Sequence, residues 1–466
     1  MNKFVNQIRA PQMTTTTNGM AAFDKSGSKL VDMFFNIGAS RNNPNVVPQF
    51  LAAFGEDKLL AMKMLFWARD VRGGAGERKV FRDILEKMSD VAPATVKKNL
   101  GLVAEYGRWD DLLVLKGDLR QSAFRLIGKA IKDGNGLCAK WMPRKGADAV
   151  ELRAALGMTP KQYRKTLVGL TKVVETAMCS KDWSNIEFAH VPSVAAARYQ
   201  KAFDKNAHDK YKAYRDALVK GDVKINASAI FPHDVIKSIS TGMADVAKAQ
   251  WEALPNFLGD QKVLAMCDVS GSMGCAAGKN SNTTCMDVSI ALGLYVADKL
   301  SGPFKDTFLT FNDRPELQTL HGDIVAKVNQ LRRASWGMNT NIEAAFNTIL
   351  DTAKRAQAPQ SDMPDVLLIL SDMQFDRCTR YGETMQTMMQ RKYAEAGYKV
   401  PAVVFWNLNA AYANGPATQF DQGVMMVSGF SPAILKAVLS ANLDDISPWA
   451  LMVNVLNGER YSPVVV

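Results

Sequence analysis

Apolar residues recur every three or four positions from about residue 46 to residue 250, which is the pattern of amphipathic helices. The stretch 159–180 has a clear helix start, because Thr159 can cap the first turn and Pro160 suits its first position. The alternation of apolar and polar residues that is typical of strands is nearly absent here. We therefore predict helices packed on helices, with a preference for a repeat of helix pairs, although the sequence has no clean repeat period.

The pattern changes after about residue 258, where short apolar runs alternate with helical stretches. Continuous apolar runs between helices are typical of a parallel sheet that is covered on both faces. This part is predicted to be a doubly wound α/β domain with its functional loops at the carboxyl ends of the strands. The predicted strands are 262–269, 306–311, 365–372, 400–406 and 423–428.

The charge of the chain divides near the same place. The formal net charge is +11 at pH 7, and residues 1–250 carry +15 of it while residues 251–466 carry −4. We predict a multi-domain chain with a basic, α-helical, repeat-like domain over 1–250 and an α/β domain over 251–466. A basic part beside a mildly acidic one indicates a module that binds a polyanion. Lys and Arg that only keep helix surfaces solvated would give the same count.

The composition excludes several classes of protein. With 47% hydrophobic and 22% charged residues, the chain is neither disordered nor fibrous. It has no run of about 18 apolar residues, and its first residues lack the apolar core of a secretory signal. We therefore expect an intracellular, cytoplasmic protein without a membrane span. The six cysteines form no CxxC pair and are expected to be reduced thiols: Cys138, Cys179, Cys267, Cys275, Cys285 and Cys378.

Polar side chains collect where the predicted strands end. Asp268, Ser270 and Ser272 follow the first strand at two-residue spacing, and the glycine between the two serines permits a tight turn. Thr340 stands at the start of a predicted helix, and Asp372 ends a later strand. Two carboxylates and three hydroxyls form an oxygen-only ligand set, which favours Mg²⁺, with Mn²⁺ or Ca²⁺ as alternatives. Residues that only cap helix starts would show the same side chains.

These three loops resemble the metal-ion-dependent adhesion site of von Willebrand factor A domains, which have a Rossmann-like fold. Asp268, Ser270 and Ser272 match the DxSxS motif, Thr340 matches the second-loop Thr, and Asp372 matches the third-loop Asp. The resemblance covers about 200 residues and implies that some of these ligands reach the metal through water. It also implies that open positions on the metal accept water or a carboxylate from an acidic protein partner.

The helical half resembles a poorly characterised family of plant, bacterial and phage proteins in which a helical region precedes a von Willebrand A domain. The order of parts is similar to that of the Ro autoantigen, whose TROVE module is a ring of helical repeats that binds small structured RNAs and single-stranded RNA ends. No RNA-contacting residue of Ro is carried over to this chain. The segments that carry the family resemblance are 67–78, 105–112, 140–144, 190–193 and 231–234.

Clusters of basic and aromatic residues in the helical half independently favour RNA. Lys and Arg neutralise phosphates, and aromatic rings stack on unpaired bases. For any single cluster, a Trp in the core and an Arg paired with a nearby Asp is the alternative interpretation. The candidate RNA-binding residues, which lie near Trp67, Trp109, Trp141 and Tyr163, are Arg69, Arg72, Arg78, Lys79, Arg108, Lys140, Arg144, Lys145, Arg164 and Lys165.

Two hypotheses for function follow. The first is a Ro-like RNA-binding protein whose A-like domain holds a divalent cation for partner binding. The second is a metal-dependent protein-interaction scaffold without a nucleic-acid function. The glycine-rich stretch 72–78 lacks the ending of a P-loop, and no general base or second-metal ligand set accompanies the metal site. We therefore expect no enzymatic activity.

Overall fold

A computed structural model describes residues 12–227, 230–239, 244–278, 281–311, 314–333, 341–377, 384–410, 415–440, 442–443 and 446–466. An N-terminal helical region and a C-terminal sheet are both present, as predicted. Short 3₁₀ helices lie at Ser40–Asn42, Trp109–Val114, Trp183–Asn185, Phe188–His190, Gly271–Gly274, Gln360–Asp362 and Glu459–Tyr461.

The N-terminal region is built from helices that follow a small hairpin. Thr159 accepts a hydrogen bond from the Gln162 amide and starts a helix at Pro160, which confirms the predicted capping. In chain order the elements are β1 (Met13–Thr15), β2 (Ala21–Phe23), α1 (Lys29–Ile37), α2 (Val46–Glu56), α3 (Lys58–Arg69), α4 (Arg78–Val91), α5 (Pro93–Lys98), α6 (Leu100–Tyr106), α7 (Gly117–Lys132), α8 (Gly136–Trp141), α9 (Ala147–Ala155), α10 (Pro160–Leu170), α11 (Val174–Cys179), α12 (Ser193–Asn206), α13 (His208–Lys220), α14 (Pro232–Ile239) and α15 (Ala244–Glu252).

The C-terminal region alternates strands with helices. Every residue of its three long strands β3, β6 and β7 is buried, so both faces of the sheet are covered. In chain order the elements are β3 (Val263–Asp268), α16 (Cys285–Lys299), β4 (Thr307–Phe311), β5 (Leu317–Thr319), α17 (Ile324–Arg333), α18 (Ile342–Ala356), β6 (Val366–Ser371), α19 (Met385–Glu395), β7 (Ala402–Asn407), β8 (Val424–Ser428), α20 (Ile434–Leu439) and α21 (Pro448–Leu456).

The six strands of this sheet lie in the order β5-β4-β3-β6-β7-β8. Five of them are parallel, as predicted, and β5 runs antiparallel to β4. The connection between β4 and β5 is too short for a parallel crossover, which needs a dozen or more residues. The chain adds strands on one side of β3 and then on the other, so the order reverses between β3 and β6.

The N-terminal segment packs against the sheet as well as against helices. The Gly38 amide donates to Ser428 Oγ at 2.9 Å, and the Thr16 hydroxyl donates to the Phe375 carbonyl at 2.6 Å. One large hydrophobic core includes residues of both regions, and a smaller core lies among α11–α15. The predicted domain division at residue 250 therefore stays a prediction. Among the described residues, none of the helices combines the length and the apolar character that a bilayer crossing requires.

Candidate cation site and basic surface

The reversal of strand order brings two carboxylates to one edge of the sheet. β3 ends at Asp268 and β6 ends at Ser371, and the two strands pair in parallel, with Cys267 opposite Leu370. Their carboxyl ends are therefore neighbours, and Asp372 follows directly after β6. Loops at such a reversal are where open α/β sheets bind ligands.

Asp268 is completely buried and held by hydrogen bonds to both of its carboxylate oxygens. Its Oδ1 accepts from the Ser270 amide at 2.9 Å. Its Oδ2 accepts from the Ser371 hydroxyl. The carboxylate is thus fixed in one orientation at the end of its strand, and Ser371, which sequence reasoning did not include in the site, is one of the groups that fix it.

The two loop serines are neighbours, and Ser272 lies beside Asp372. Ser270 Oγ lies 3.0 Å from Ser272 Oγ. The Asp372 side chain is only 1% exposed, and its Oδ1 accepts from the Gln374 amide at 3.2 Å. Its Oδ2 is buried and has no hydrogen-bond partner among the residues that the structure describes. A buried carboxylate oxygen without a partner is costly unless a group outside the chain satisfies it.

The electrostatics of the two carboxylates are unfavourable in the protein alone. Burial, reinforced by the charge of Asp372, raises the pKa of Asp268 to about 6, although hydrogen bonds from Ser371 and Ser270 oppose the shift. Burial also raises the pKa of Asp372, and the nearby Ser272 hydroxyl opposes that shift. Neither carboxylate forms an ion pair with a basic side chain in the described part of the chain.

The structure thus brings together four of the five predicted metal ligands: Asp268, Ser270, Ser272 and Asp372. Thr340 lies outside the described residues, so its prediction stays open. No group of three or more His, Cys, Asp or Glu side chains suited to a metal occurs within the described ranges. The predicted ligand set does not need such a group, because three of its five ligands are hydroxyls.

An N-terminal segment that no sequence pattern indicated binds the loop after Asp372. The Thr17 amide donates to Gln374 Oε1 at 2.8 Å, and Asn18 Nδ2 donates to the Gln374 carbonyl at 2.8 Å. These contacts join positions more than 350 residues apart, so no local spacing could have revealed them. They hold the loop after Asp372 in place.

Six of the ten candidate RNA-binding residues make contacts within the protein. Arg69 is buried and binds Asp111 at 2.7 Å. Arg78 and Arg108 bind Asp110 at 2.8 and 2.7 Å, and Arg108 also stacks on Trp141 with its guanidinium carbon 3.6 Å from the ring centre. Lys79 pairs with Asp83, and Lys140 pairs with Glu175. Arg144 donates to the backbone carbonyls of Ala139 and Met142.

The remaining four candidates, Arg72, Lys145, Arg164 and Lys165, are exposed. None of them forms an ion pair with any residue that the structure describes. Arg164 and Lys165 are adjacent on α10. These four side chains are available to an external anion.

Two of the four aromatic candidates are buried, and the other two are half-buried. Trp67 is 1% exposed and packs on Phe34 with ring centroids 4.6 Å apart, so it belongs to the core. Tyr163 is also buried, and its hydroxyl donates to the Pro143 carbonyl. Trp109 and Trp141 are half-buried. For Trp67 the core interpretation is therefore correct.

Comparisons with known proteins follow the same two parts of the chain. A family model described as "Domain of unknown function (DUF7788)" matches residues 262–451, which contain the sheet and the candidate cation site. A second model, "Domain of unknown function (DUF2828)", matches residues 16–117 and 143–262. The chain is also 31% identical over 523 aligned positions to "Uncharacterized protein L728" of Acanthamoeba polyphaga mimivirus. That alignment covers 97% of this chain and 89% of the viral protein, so the chain belongs to the family of this mimivirus protein.

Proposed function

We propose that the C-terminal region is a von Willebrand A-like, doubly wound domain that binds a divalent cation, and that the helical region binds RNA. One observation carries the cation proposal. Asp268 and Asp372 lie buried at one sheet edge without a basic partner among the described residues, and Asp372 Oδ2 is unsatisfied. A bound cation would neutralise both carboxylates and complete the coordination of that oxygen.

The donor chemistry favours Mg²⁺, with Mn²⁺ or Ca²⁺ as alternatives. Carboxylate and hydroxyl oxygens are hard ligands, which suit these ions better than zinc. Mg²⁺ needs six ligands in an octahedron and keeps some of its waters. The side chains of Asp268, Ser270, Ser272 and Asp372, with Thr340 as the predicted fifth, leave room for water or for a carboxylate of a protein partner.

The RNA proposal depends on the four exposed and unpaired basic residues Arg72, Lys145, Arg164 and Lys165. Phosphate contacts from Lys and Arg give the sequence-independent part of nucleic-acid affinity. Trp109 and Trp141 are the half-buried candidates for stacking on unpaired bases, and Arg108 already occupies one face of Trp141. The alternative function, a metal-dependent protein-interaction scaffold, predicts cation binding without RNA binding.

Titration calorimetry of the metal-free protein with Mg²⁺ and with Mn²⁺ tests the cation proposal. We expect one site in the wild type, with at least about tenfold weaker binding in Asp372→Asn because one charged ligand is lost. Asp260→Asn is the matched control, since Asp260 is exposed and lies outside the site. Equal affinities in the wild type and Asp372→Asn would contradict the proposal.

Anisotropy titrations with a labelled single-stranded RNA and with a labelled hairpin test RNA binding at several salt concentrations. In the double variant Arg164→Gln/Lys165→Gln we expect weaker binding and, on the single-stranded RNA, a salt dependence reduced by about 1.4 in log–log slope, because two phosphate contacts are lost. The double variant Lys354→Gln/Arg355→Gln is the control, since it removes the same charge from an exposed helix end of the α/β region. Absence of binding in the wild type at low salt would favour the scaffold.

A further inference from the structure

We propose that Cys275 and Cys285 form a reversible disulfide by exchange with a low-molecular-weight disulfide such as oxidised glutathione. Their sulfurs lie 3.5 Å apart. The other cysteines in the described ranges, Cys138, Cys179 and Cys267, make no such sulfur–sulfur contact. This proposal does not depend on the proposed function.

The backbone holds the two cysteines opposite each other. Ala276 and Thr284 form an antiparallel bridge, and the Cys285 amide donates to the Cys275 carbonyl at 3.0 Å. Residues that lie opposite each other in an antiparallel ladder have Cα atoms about 4.5–5.5 Å apart. That separation lies inside the range of about 4.4–6.8 Å that a disulfide spans, so a side-chain rotation can close the bond without refolding.

The surroundings divide the two thiols into an attacking and a resolving group. Cys275 is half-buried, and Asn409 Nδ2 donates to its sulfur at 3.3 Å, which stabilises the thiolate. Cys285 is 2% exposed and lies 3.3 Å from the Leu408 carbonyl, so an external disulfide reaches it only through Cys275.

The disulfide forms by two successive thiol–disulfide exchange steps. The Cys275 thiolate attacks one sulfur of oxidised glutathione, whose S–S bond breaks to give a mixed disulfide and one glutathione thiolate. Cys285 then loses its proton and attacks Cys275 Sγ, which displaces the second glutathione as a thiolate. The two protein thiols are oxidised, and one glutathione disulfide is reduced to two thiols. The product closes segment 275–285, which joins the Ser272 loop to the start of α16.

We test the proposal by peptide mapping after incubation in glutathione buffers with an increasing oxidised fraction. The protein carries Cys378→Ser, which removes the one cysteine that lies outside the described residues. Trypsin cleaves after Lys279 and separates the two cysteines, so the disulfide joins peptides 263–279 and 280–299. Fragmentation distinguishes Cys275 from Cys267 on the first peptide. We expect this linked pair to form before the exposed Cys179 is modified, and dithiothreitol to reverse it.

Two variants separate the roles of the thiols. In Cys285→Ser we expect a stable glutathione adduct on Cys275, and in Cys275→Ser we expect Cys285 to stay unmodified. Cys179→Ser is the matched control and keeps the linked pair. The proposal would be overturned, even if either variant fails to fold, by a Cys378→Ser parent protein that carries glutathione on Cys275 without the link. Modification of Cys179 while Cys275 and Cys285 both stay reduced would overturn it as well.

Discussion

Replacing Asp268 by Asn tests the electrostatic cost that underlies the cation site. Burial and Asp372 raise the pKa of Asp268 from 3.8 to about 6 in the folded chain. The folded state therefore binds this proton more tightly than the unfolded state, and the metal-free protein loses stability as pH rises from about 4 to above 6. The full loss is roughly 3 kcal/mol above that window, from about 1.36 kcal/mol for each unit by which the pKa is raised.

The amide of Asp268→Asn removes this cost but disturbs one hydrogen bond. The Ser371 hydroxyl now loses its acceptor, which costs about 1 kcal/mol. We therefore expect the metal-free variant to be more stable than the wild type by about 2 kcal/mol at pH 7.5, and no more stable near pH 4. If the C-terminal region unfolds as one unit, the melting temperature rises by about 4–8 °C.

Scanning calorimetry in the presence of EDTA and of Mg²⁺ measures both effects. In the wild type, Mg²⁺ at about a hundred times its Kd adds about 2.7 kcal/mol, and the variant loses most of this gain. Asp260→Asn serves as the control, because the exposed Asp260 has neither effect. A metal-free variant that is less stable than the wild type at pH 7.5, or equal stabilisation of both proteins by Mg²⁺, would refute the electrostatic cost assigned to Asp268.

Two further substitutions probe contacts that join distant parts of the chain. Arg69→Met leaves the fully buried Asp111 with one partner fewer and is expected to cost about 3 kcal/mol in chemical unfolding while RNA affinity is unchanged; a lost affinity in the folded variant would make Arg69 a binding residue. Gly38→Ala brings a Cβ within 2.2 Å of the Ser428 carbonyl and is expected to cost about 1–3 kcal/mol in the same assay. Gly55→Ala, in α2 with nothing within 4 Å, is the control and is expected to stabilise the protein by about 0.5–1 kcal/mol. Equal effects of the two alanines would contradict the close approach at Gly38.

Features that depend on neighbours in the sequence were predictable. Thr159 and Pro160 mark a helix start because capping uses groups within one turn. The long strands β3, β6 and β7 were recognisable because a strand buried on both faces is apolar at every position. β5 was missed, since its three residues are partly exposed and carry no such pattern.

Features that depend on distant contacts were not predictable in this way. The same basic side chain is exposed in one environment and buried in another, and only packing separates Arg69, which binds Asp111, from the exposed Arg72. The hydrogen bond from Gly38 to Ser428 joins the end of α1 to β8, 390 residues further along the chain. No spacing in the sequence encodes either contact.

The position of the two carboxylates was predictable in part. Two apolar runs predict that β3 and β6 are parallel strands of one sheet, which puts Asp268 and Asp372 at the same edge, whereas the direct pairing of β3 with β6 comes from the structure. Whether a basic side chain compensates them depends on every element around that edge, and none does so among the described residues. Burial raises the pKa of both carboxylates, so a shared proton would relieve part of the repulsion as the pH falls. The proposed divalent cation would balance both charges at neutral pH, and the oxygen donors suit it.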